Sequence, residues 1–153
     1  MDDRPKVVLA DDEPRLRAKT RAALEAGGFE VCGEGGSAGE AVEPATRHRP
    51  EVALLDIHMP GSGIRAAAEI SRLLPQTSVV MLTFSEGDQD LFDSLRAGAS
   101  GYLLKATDPE RLPSALRGVL SGEAAIPRTL VARILCEFQA PARPAPATAR
   151  PRP

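Results

Sequence analysis

Aromatic residues are scarce in this sequence. It has no tryptophan, one tyrosine (Tyr102) and four phenylalanines among 153 residues. Proteins that bind single-stranded nucleic acid commonly stack bases on exposed aromatic side chains. The composition therefore offers little surface for that mode of binding.

Cysteines and long apolar runs are also few. Cys32 and Cys136 are far apart in sequence and form no CxxC pair, so we expect them to be small packing residues of a reduced protein. No apolar stretch approaches the ~20 residues of a membrane-spanning helix. The opening Met1-Asp2-Asp3-Arg4 does not resemble a signal peptide. These features predict a cytoplasmic protein that has no membrane partner.

The charge is distributed unevenly along the chain. The formal net charge is −2, from 19 basic and 21 acidic residues. Arg143, Arg150 and Arg152 lie after residue 139, where there is no acid, so residues 1–139 carry 16 basic against 21 acidic residues. A folded part this acidic is poorly suited to gripping a phosphate backbone by itself.

Short apolar runs alternate with segments of helical periodicity. Strands are predicted at 6–10, 29–32, 52–55, 78–82 and 101–104. Helices are predicted from Pro14 to Gly27, after the capping box of Ser37 and Glu40, at 64–74, at 86–96 and from Pro109 to Leu120. The strands are near-continuous apolar runs rather than alternating patterns, which predicts a parallel sheet covered by helices on both faces. A sixth helix is predicted at 127–138, followed by a Pro/Ala/Arg-rich linker or tail at 140–153.

Polar residues follow four of the five strands. Asp11 and Asp12 come after the first strand, Asp56 after the third, Thr83 after the fourth and Lys105 after the fifth. Ligands of an open parallel sheet bind at this edge, outside the carboxyl ends of the strands. Converging carboxylates repel one another unless a cation lies among them, and Mg²⁺ prefers oxygen ligands. With the ammonium of Lys105 and the hydroxyl of Thr83, the set suits phosphoryl transfer to an aspartate.

Other interpretations use some of the same residues. The run from Gly33 to Ala38 matches GxGxxA between a strand and a helix, which is typical of dinucleotide binding and would make Asp56 a ribose ligand for NAD. His58, with His48, could indicate a transition-metal site, although it is more typical of a loop residue.

The basic residues of the first helix have two interpretations. Arg15, Arg17, Lys19 and Arg21 could bind nucleic acid, or they could form a solvated face or a kinase docking surface. A solvated face or a kinase docking surface is the favoured interpretation.

Four segments of the chain carry a family resemblance. They are Leu9-Ala10-Asp11-Asp12-Glu13, Leu54-Leu55-Asp56-Ile57-His58-Met59-Pro60-Gly61, Met81-Leu82-Thr83 and Ala97-Gly98-Ala99-Ser100-Gly101-Tyr102-Leu103-Leu104-Lys105. The arrangement resembles the receiver domain of two-component response regulators across residues 5–122. The last segment, together with 118–125, is similar to the NarL/FixJ (LuxR-type) transcriptional regulators. The resemblance implies a flavodoxin-like (CheY-like) α/β fold with a five-stranded parallel sheet.

The resemblance also implies a role for each residue of the site. Asp56 would be the phosphoacceptor, and Thr83 and Lys105 would bind the phosphoryl oxygens. Asp12, Asp56 and the backbone carbonyl of His58 would ligate Mg²⁺, with Asp11 acting mostly through water. Tyr102 would be the aromatic switch residue that turns inward when Thr83 moves. Such a protein is a signalling phosphoacceptor and not a metabolic enzyme, because it catalyses only its own phosphorylation and dephosphorylation.

One departure from the family wording lies beside Asp56. The common family motif there is Met-Pro-Gly-x-x-Gly, whereas this chain has Met59-Pro60-Gly61-Ser62-Gly63, which is one residue shorter. The loop is therefore expected to sit differently and to alter phosphate lifetime more than the chemistry.

The resemblance implies partners and a division of the chain. We expect a receiver domain at 1–122, a C-terminal extension helix at 123–139 and the linker at 140–153. The expected partners are a sensor histidine kinase, a second copy of the chain and, only through a helix-turn-helix domain beyond the chain, DNA. A single-domain receiver, or a receiver-like module that is not phosphorylated, remains an alternative.

Overall fold

Strands and helices alternate along the chain in the computed structural model, which describes residues 3–84 and 87–139. The elements are β1 (Lys6–Ala10), α1 (Pro14–Ala26), β2 (Glu30–Gly35), α2 (Ala38–His48), β3 (Val52–Asp56), α3 (Gly63–Leu73), β4 (Ser78–Thr83), α4 (Asp88–Arg96), β5 (Gly101–Leu104), a 3₁₀ turn (Pro109–Arg111), α5 (Leu112–Leu120) and α6 (Arg128–Gln139). None of the helices in these two described ranges has both the length and the apolarity needed to cross a bilayer.

The five strands form one parallel sheet in the order β2-β1-β3-β4-β5. The central strand β3 is buried along its whole length. Its side chains alternate between two cores: Ala53 and Leu55 face one, and Val52 and Leu54 face the other. Because both faces are covered, an apolar residue is favoured at every position. The predicted α/β fold is confirmed.

Each face of the sheet carries its own helices. Helices α2, α3 and α4 contribute side chains such as Ala41, Ile70 and Leu91 to the core on one face. Helices α1 and α5 contribute Leu24 and Leu116 to the core on the opposite face. The carboxyl ends of all five strands therefore lie along a single edge, which is where the polar residues of the sequence were predicted to meet.

Strand β2 is longer than predicted. It continues through the glycines to Gly35, whereas the sequence favoured an end at Cys32. The glycines make room for α2: a Cβ on Gly33 would lie 2.6 Å from Pro44 Cβ, and one on Gly35 would lie 2.5 Å from Glu40 Cβ. Glycine has a low strand propensity, but pairing with β1 and close packing of α2 outweigh it here. This packing role of the glycines, rather than a nucleotide-binding turn, accounts for the GxGxxA motif.

The helix that follows Ser37 begins as predicted. The Ser37 hydroxyl accepts a hydrogen bond from the Glu40 N–H at 3.2 Å. The Glu40 carboxylate accepts one from the Gly36 N–H at 2.8 Å, one residue before the cap itself. The capping box is thus present in a slightly displaced form.

Two other helices differ from the sequence prediction at their first turns. The stretch from Pro109 opens as a 3₁₀ turn, and the α-helix starts only at Leu112. Pro113 lacks the N–H that an α-helix beginning at Pro109 would need in its second turn, so Pro113 is accommodated in the first turn of α5 instead. Helix α4 begins at Asp88; Glu86, where the prediction started it, lies outside the described residues, as does the predicted linker at 140–153.

The predicted sixth helix is confirmed, and it packs back onto the domain. The Tyr102 N–H donates to the Ala125 carbonyl at 2.7 Å, which attaches the segment before α6 to the free edge of β5. Leu130 of α6 is buried in the same core as Leu91 and Tyr102. Arg133 lies 3.5 Å from Asp88 at the start of α4. Helix α6 is therefore part of the folded unit.

The shortened loop between β3 and α3 forms a compact hydrogen-bonded turn. The Ser62 N–H donates to the Met59 carbonyl, and the Gly63 N–H donates to the Ile57 carbonyl, each at 2.8 Å. Gly61 and Ser62 both have positive φ, 85° and 75°. That conformation is costly for serine, but here Ser62 also caps α3 by accepting from the Arg65 N–H. The loop thus closes with one residue fewer, and the strain of the shorter turn lies in the positive φ of Ser62.

Gly63 is the position in this turn that should tolerate change least. A Cβ there would lie 1.8 Å from the Asp56 carbonyl oxygen, and backbone atoms cannot rotate away as a side chain would. We expect Gly63→Ala to lower the free energy of unfolding by about 3 kcal/mol, measured by urea denaturation. Gly39→Ala is the control: nothing lies within 4 Å of its Cβ position, so it should be neutral or stabilising by up to about 1 kcal/mol. Equal midpoints for the two variants would contradict the steric argument.

Candidate functional site

Three carboxylates meet at the carboxyl ends of β1 and β3. Asp11 and Asp12 follow β1, and Asp56 is the last residue of the neighbouring strand β3. One carboxylate oxygen from each of the three lies within 4.8 Å of the others. Asp11 and Asp56 are buried, while Asp12 is exposed. The structure thus brings together the acidic residues that the sequence predicted to converge.

Asp11 is held by both its backbone and its side chain. Its N–H donates to the Gly35 carbonyl at 2.9 Å, and its Oδ1 accepts from the Glu13 N–H at 2.9 Å. Its Oδ2 is buried, and no donor in the described part of the chain is aligned on it for a hydrogen bond. The compensation for that oxygen is an ion pair with Lys105, whose Nζ lies 2.8 Å away.

Lys105 supplies the positive charge of the site. It follows β5, and its N–H donates to the Thr83 carbonyl at the end of β4. Its ammonium lies between the two buried carboxylates, 2.8 Å from Asp11 Oδ2 and 3.4 Å from Asp56 Oδ1. The Lys105 side chain is only 6% exposed, so water screens these ion pairs weakly. The ammonium therefore offsets part of the repulsion between Asp11 and Asp56.

The pKa of the Asp56 carboxyl is raised above its ordinary value of 3.8. Burial is the main cause, because it disfavours the ionised form. Lys105 acts in the opposite direction, and the neighbouring charge of Asp11 adds to the rise. Asp56 is thus a carboxylate whose charge is poorly solvated, a condition in which a cation or a covalent partner is favoured.

Thr83 and Phe84 lie at the end of β4. Thr83 is fully buried, directly beside Leu104, the residue before Lys105. Phe84 was not singled out from the sequence; its side chain is 65% exposed, and its ring centroid lies 5.4 Å from Lys105 Nζ. The position of Phe84 one residue after a strand-end threonine was the available signal.

His58 does not belong to a histidine-based metal site. Its Nε2 lies 3.0 Å from Asp90 Oδ2 on α4, which links the loop after Asp56 to that helix. Within residues 3–84 and 87–139, the grouping of His, Cys, Asp and Glu close enough to share one ion is Asp11, Asp12 and Asp56. His48 is exposed at the end of α2. The loop-residue interpretation of His58 is favoured.

Tyr102 lies inside the protein. It is fully buried and belongs to the core that contains Leu91 and Leu130. The residue that the resemblance marks as the switch is therefore a core residue.

The basic face of α1 is only partly solvated. Arg17 and Arg21 both contact Glu34 of β2, and Arg21 also pairs with Glu25 at 3.0 Å. Arg17 in addition donates to the Asp11 carbonyl at 2.7 Å. The expectation of a solvated face was wrong for Arg17, because a contact between helix and loop cannot be read from helical periodicity.

Comparison with known proteins agrees with this geometry. Residues 7–117 match the family described as the response regulator receiver domain. The chain is 40% identical to YxjL, an uncharacterized transcriptional regulatory protein of Bacillus subtilis, over 88% of the chain and 63% of that protein. It is 35% identical to NreC, an oxygen regulatory protein of Staphylococcus haemolyticus, over 87% of the chain and 63% of that protein. The chain thus spans less than two thirds of the length of these curated relatives.

A solved structure gives the same result. The two-component response regulator of the LuxR family from Aurantimonas sp. SI85-9A1 superimposes with a TM-score of 0.79 at 28% identity, covering 89% of this chain and 99% of that one. The matched family spans both the sheet and the three carboxylates at its carboxyl edge. This protein therefore belongs to the response regulator receiver family, and its homologues are NarL- and LuxR-type regulators.

Proposed function

We propose that Asp56 accepts a phosphoryl group and that the resulting change of state controls an output. The observation that carries this proposal is the placement of the Asp56 carboxylate, which lies beside Asp11 and Asp12 and within 3.4 Å of the Lys105 ammonium. One nucleophilic carboxylate, two further acidic groups and one cation are the components that phosphoryl transfer to aspartate requires.

The donor set fits a divalent cation. Three carboxylates share a small volume, and the Lys105 ammonium faces both of the buried ones, Asp11 and Asp56. Hard oxygen ligands with access for water are the preference of Mg²⁺. We assign Asp12, Asp56 and the His58 backbone carbonyl as direct ligands, and Asp11 as a ligand through water. The ion, when bound, would neutralise negative charge on the phosphoryl oxygens.

The remaining steps belong to side chains of this chain. One Oδ of Asp56 forms a bond to phosphorus while the bond from phosphorus to the donor's leaving group breaks, and the leaving group takes that electron pair. The donor is a phosphohistidine of a sensor kinase or a small acyl phosphate. The Lys105 ammonium and the Thr83 hydroxyl bind phosphoryl oxygens. Because Lys105 already faces Asp56, it needs only to exchange a carboxylate oxygen for a phosphoryl oxygen.

The switch in this proposal runs from Thr83 to Tyr102. Movement of the Thr83 hydroxyl toward the phosphoryl group would leave space that the Tyr102 ring occupies. The full burial of Tyr102 supports this proposal, because the ring lies in the interior of the domain.

The wider function rests on the family. Its members are signalling proteins. We propose that this protein is cytoplasmic, that its partner is a sensor histidine kinase and that it forms a homodimer on activation. For the whole protein we propose transcription regulation through a DNA-binding helix-turn-helix domain beyond the chain. Residues 1–122 would be the receiver, 123–139 an extension helix and 140–153 a linker.

Incubation with acetyl phosphate and Mg²⁺ tests the acceptor assignment. Intact-mass measurement should show one added phosphoryl group on the wild type and none on Asp56→Asn. Asp93→Asn is the matched control, because Asp93 lies on α4 and its carboxylate accepts hydrogen bonds from the exposed Gln89 and Arg96; it should be modified like the wild type. A wild type that stays unmodified with several donors would favour an interaction module that is not phosphorylated.

Removal of the Asp56 charge should stabilise the fold when no metal is present. The native pKa is raised, so the folded state binds the proton more readily than the unfolded state, and stability is lost as pH rises through the native pKa. Asp56→Asn removes that cost, while Lys105 keeps its nearer partner Asp11.

Urea unfolding in EDTA checks this expectation. At neutral pH, Asp56→Asn should have a higher midpoint than the wild type, and the difference should vanish below the ordinary carboxyl pKa of 3.8. Asp93→Asn should differ from the wild type by no more than about 0.5 kcal/mol. A lower midpoint for Asp56→Asn at neutral pH would contradict the burial argument.

A further inference from the structure

The side chain of Arg17 turns back from α1 toward the edge of the sheet. Its Nη1 lies 2.7 Å from the Asp11 carbonyl oxygen and 3.3 Å from the Gly35 carbonyl oxygen. One of these acceptors is in the loop that carries the acidic pair, and the other is the last residue of β2. A single guanidinium therefore joins that loop to the neighbouring strand.

A carboxylate fixes the orientation of this guanidinium. Arg17 Nε lies 3.2 Å from Glu34 Oε1, and the Arg17 side chain is only 26% exposed. Gly36 leaves room for the contact, because a Cβ on that residue would lie 3.3 Å from Arg17 Nη1 and 3.6 Å from Asp12 Cα. The planar fork of arginine suits such an arrangement, in which one side chain contacts several acceptors at once.

The bonded carbonyl belongs to the peptide unit between Asp11 and Asp12. The Asp11 N–H is tied to the same Gly35 carbonyl at 2.9 Å, so the backbone just before Asp12 is held on both sides of Asp11. The direction in which the exposed Asp12 carboxylate leaves the chain depends on that backbone. Without Arg17, the Asp11 carbonyl would lose its donor and the Asp12 carboxylate would have to be ordered when a cation binds.

We propose that Arg17 is a positioning residue for the divalent cation: it does not touch the ion but pre-orders the Asp12 carboxylate for it. This inference rests on the proposed function of the acidic cluster. Loss of a residue that orders a metal ligand typically weakens binding by a factor of ten or more.

The sign of the effect separates positioning from simple electrostatics. A positive charge close to three carboxylates repels a cation, so neutralising Arg17 should tighten cation binding if charge alone matters. The positioning role predicts the opposite change. Arg21 provides the comparison, because it lies on the same face of α1 and shares Glu34, but it contacts Glu34 and Glu25 rather than the acidic loop.

Calorimetric titration of the metal-stripped chain with Mg²⁺ is the direct test. Arg17→Gln should raise the dissociation constant about tenfold, and Arg21→Gln should leave it unchanged or slightly lower. Arg17→Lys keeps the charge but replaces the planar fork with an ammonium, so its dissociation constant should fall between those of the wild type and Arg17→Gln. If Arg17→Gln does not fold, as judged by urea unfolding, Arg17→Lys carries the same comparison.

Phosphorylation kinetics give a second measurement. With acetyl phosphate, Arg17→Gln should need about ten times more Mg²⁺ for half its maximal rate, while the rate at saturating Mg²⁺ stays close to that of the wild type. A lower maximal rate with an unchanged Mg²⁺ requirement would overturn the proposal. So would a dissociation constant equal to or below that of the wild type.

Hydrogen exchange in EDTA separates this inference from the proposed function. Arg17→Gln removes the hydrogen bond that clamps the Asp11 carbonyl. It should therefore speed exchange at the Asp11 and Glu13 amides, both of which are hydrogen-bonded in the loop, whereas Arg21→Gln should not. A wild type that binds no Mg²⁺ would refute the metal site itself. In that case, unchanged exchange in Arg17→Gln would refute the clamp as well, and faster exchange would leave Arg17 as a loop clamp with no cation to position.

Discussion

Mutual repulsion of three carboxylates at one edge of the sheet is the constraint around which this protein is built. Parallel strands bring their carboxyl ends together, and β1 and β3, which lie side by side, place Asp11, Asp12 and Asp56 within reach of one ion. Lys105 compensates only part of this charge, since one ammonium faces two buried carboxylates. The pKa of Asp56 stays raised despite Lys105, mainly because the carboxyl is buried and in part because of the neighbouring charge of Asp11. A fold with this charge arrangement favours states in which a cation or a phosphoryl group is present at the same edge.

Rigid backbone contacts keep the carboxylates in this unfavourable arrangement. Asp11 is bonded through its N–H, its carbonyl and its Oδ1, and the turn after Asp56 is closed by hydrogen bonds at Met59 and Ile57. Glycines permit the close approaches on which these contacts depend: Gly35 lies against α2, and Gly63 lies against the Asp56 carbonyl. The backbone that carries the acidic groups is thus ordered before any ligand arrives, which lowers the entropic cost of binding.

Strand β5, which leads to Lys105, packs against the C-terminal part of the described chain. Tyr102 lies on β5, next to β4, and its side chain is buried in the core. Its N–H donates to the Ala125 carbonyl in the segment that leads into α6. Leu130 and Tyr102 share one core, and Arg133 contacts the start of α4. Because these groups pack together, the proposed switch residue and α6 belong to one packed body rather than to separate parts of the chain.

Local and periodic features were readable from the amino-acid sequence: five apolar strands, six helices, the strand-end positions of Asp56, Thr83 and Lys105, and the family itself. These features depend on residue spacing, which the sequence displays directly. Contacts between distant segments were not readable. The extension of β2 to Gly35 depends on the packing of α2, and the 3₁₀ turn at Pro109 depends on the missing N–H of Pro113. The partial burial of Arg17 depends on where β2 ends. Periodicity placed Arg17 on a charged helix face, and only the approach of Glu34 and Gly35 from another strand made it a partner of the acidic loop.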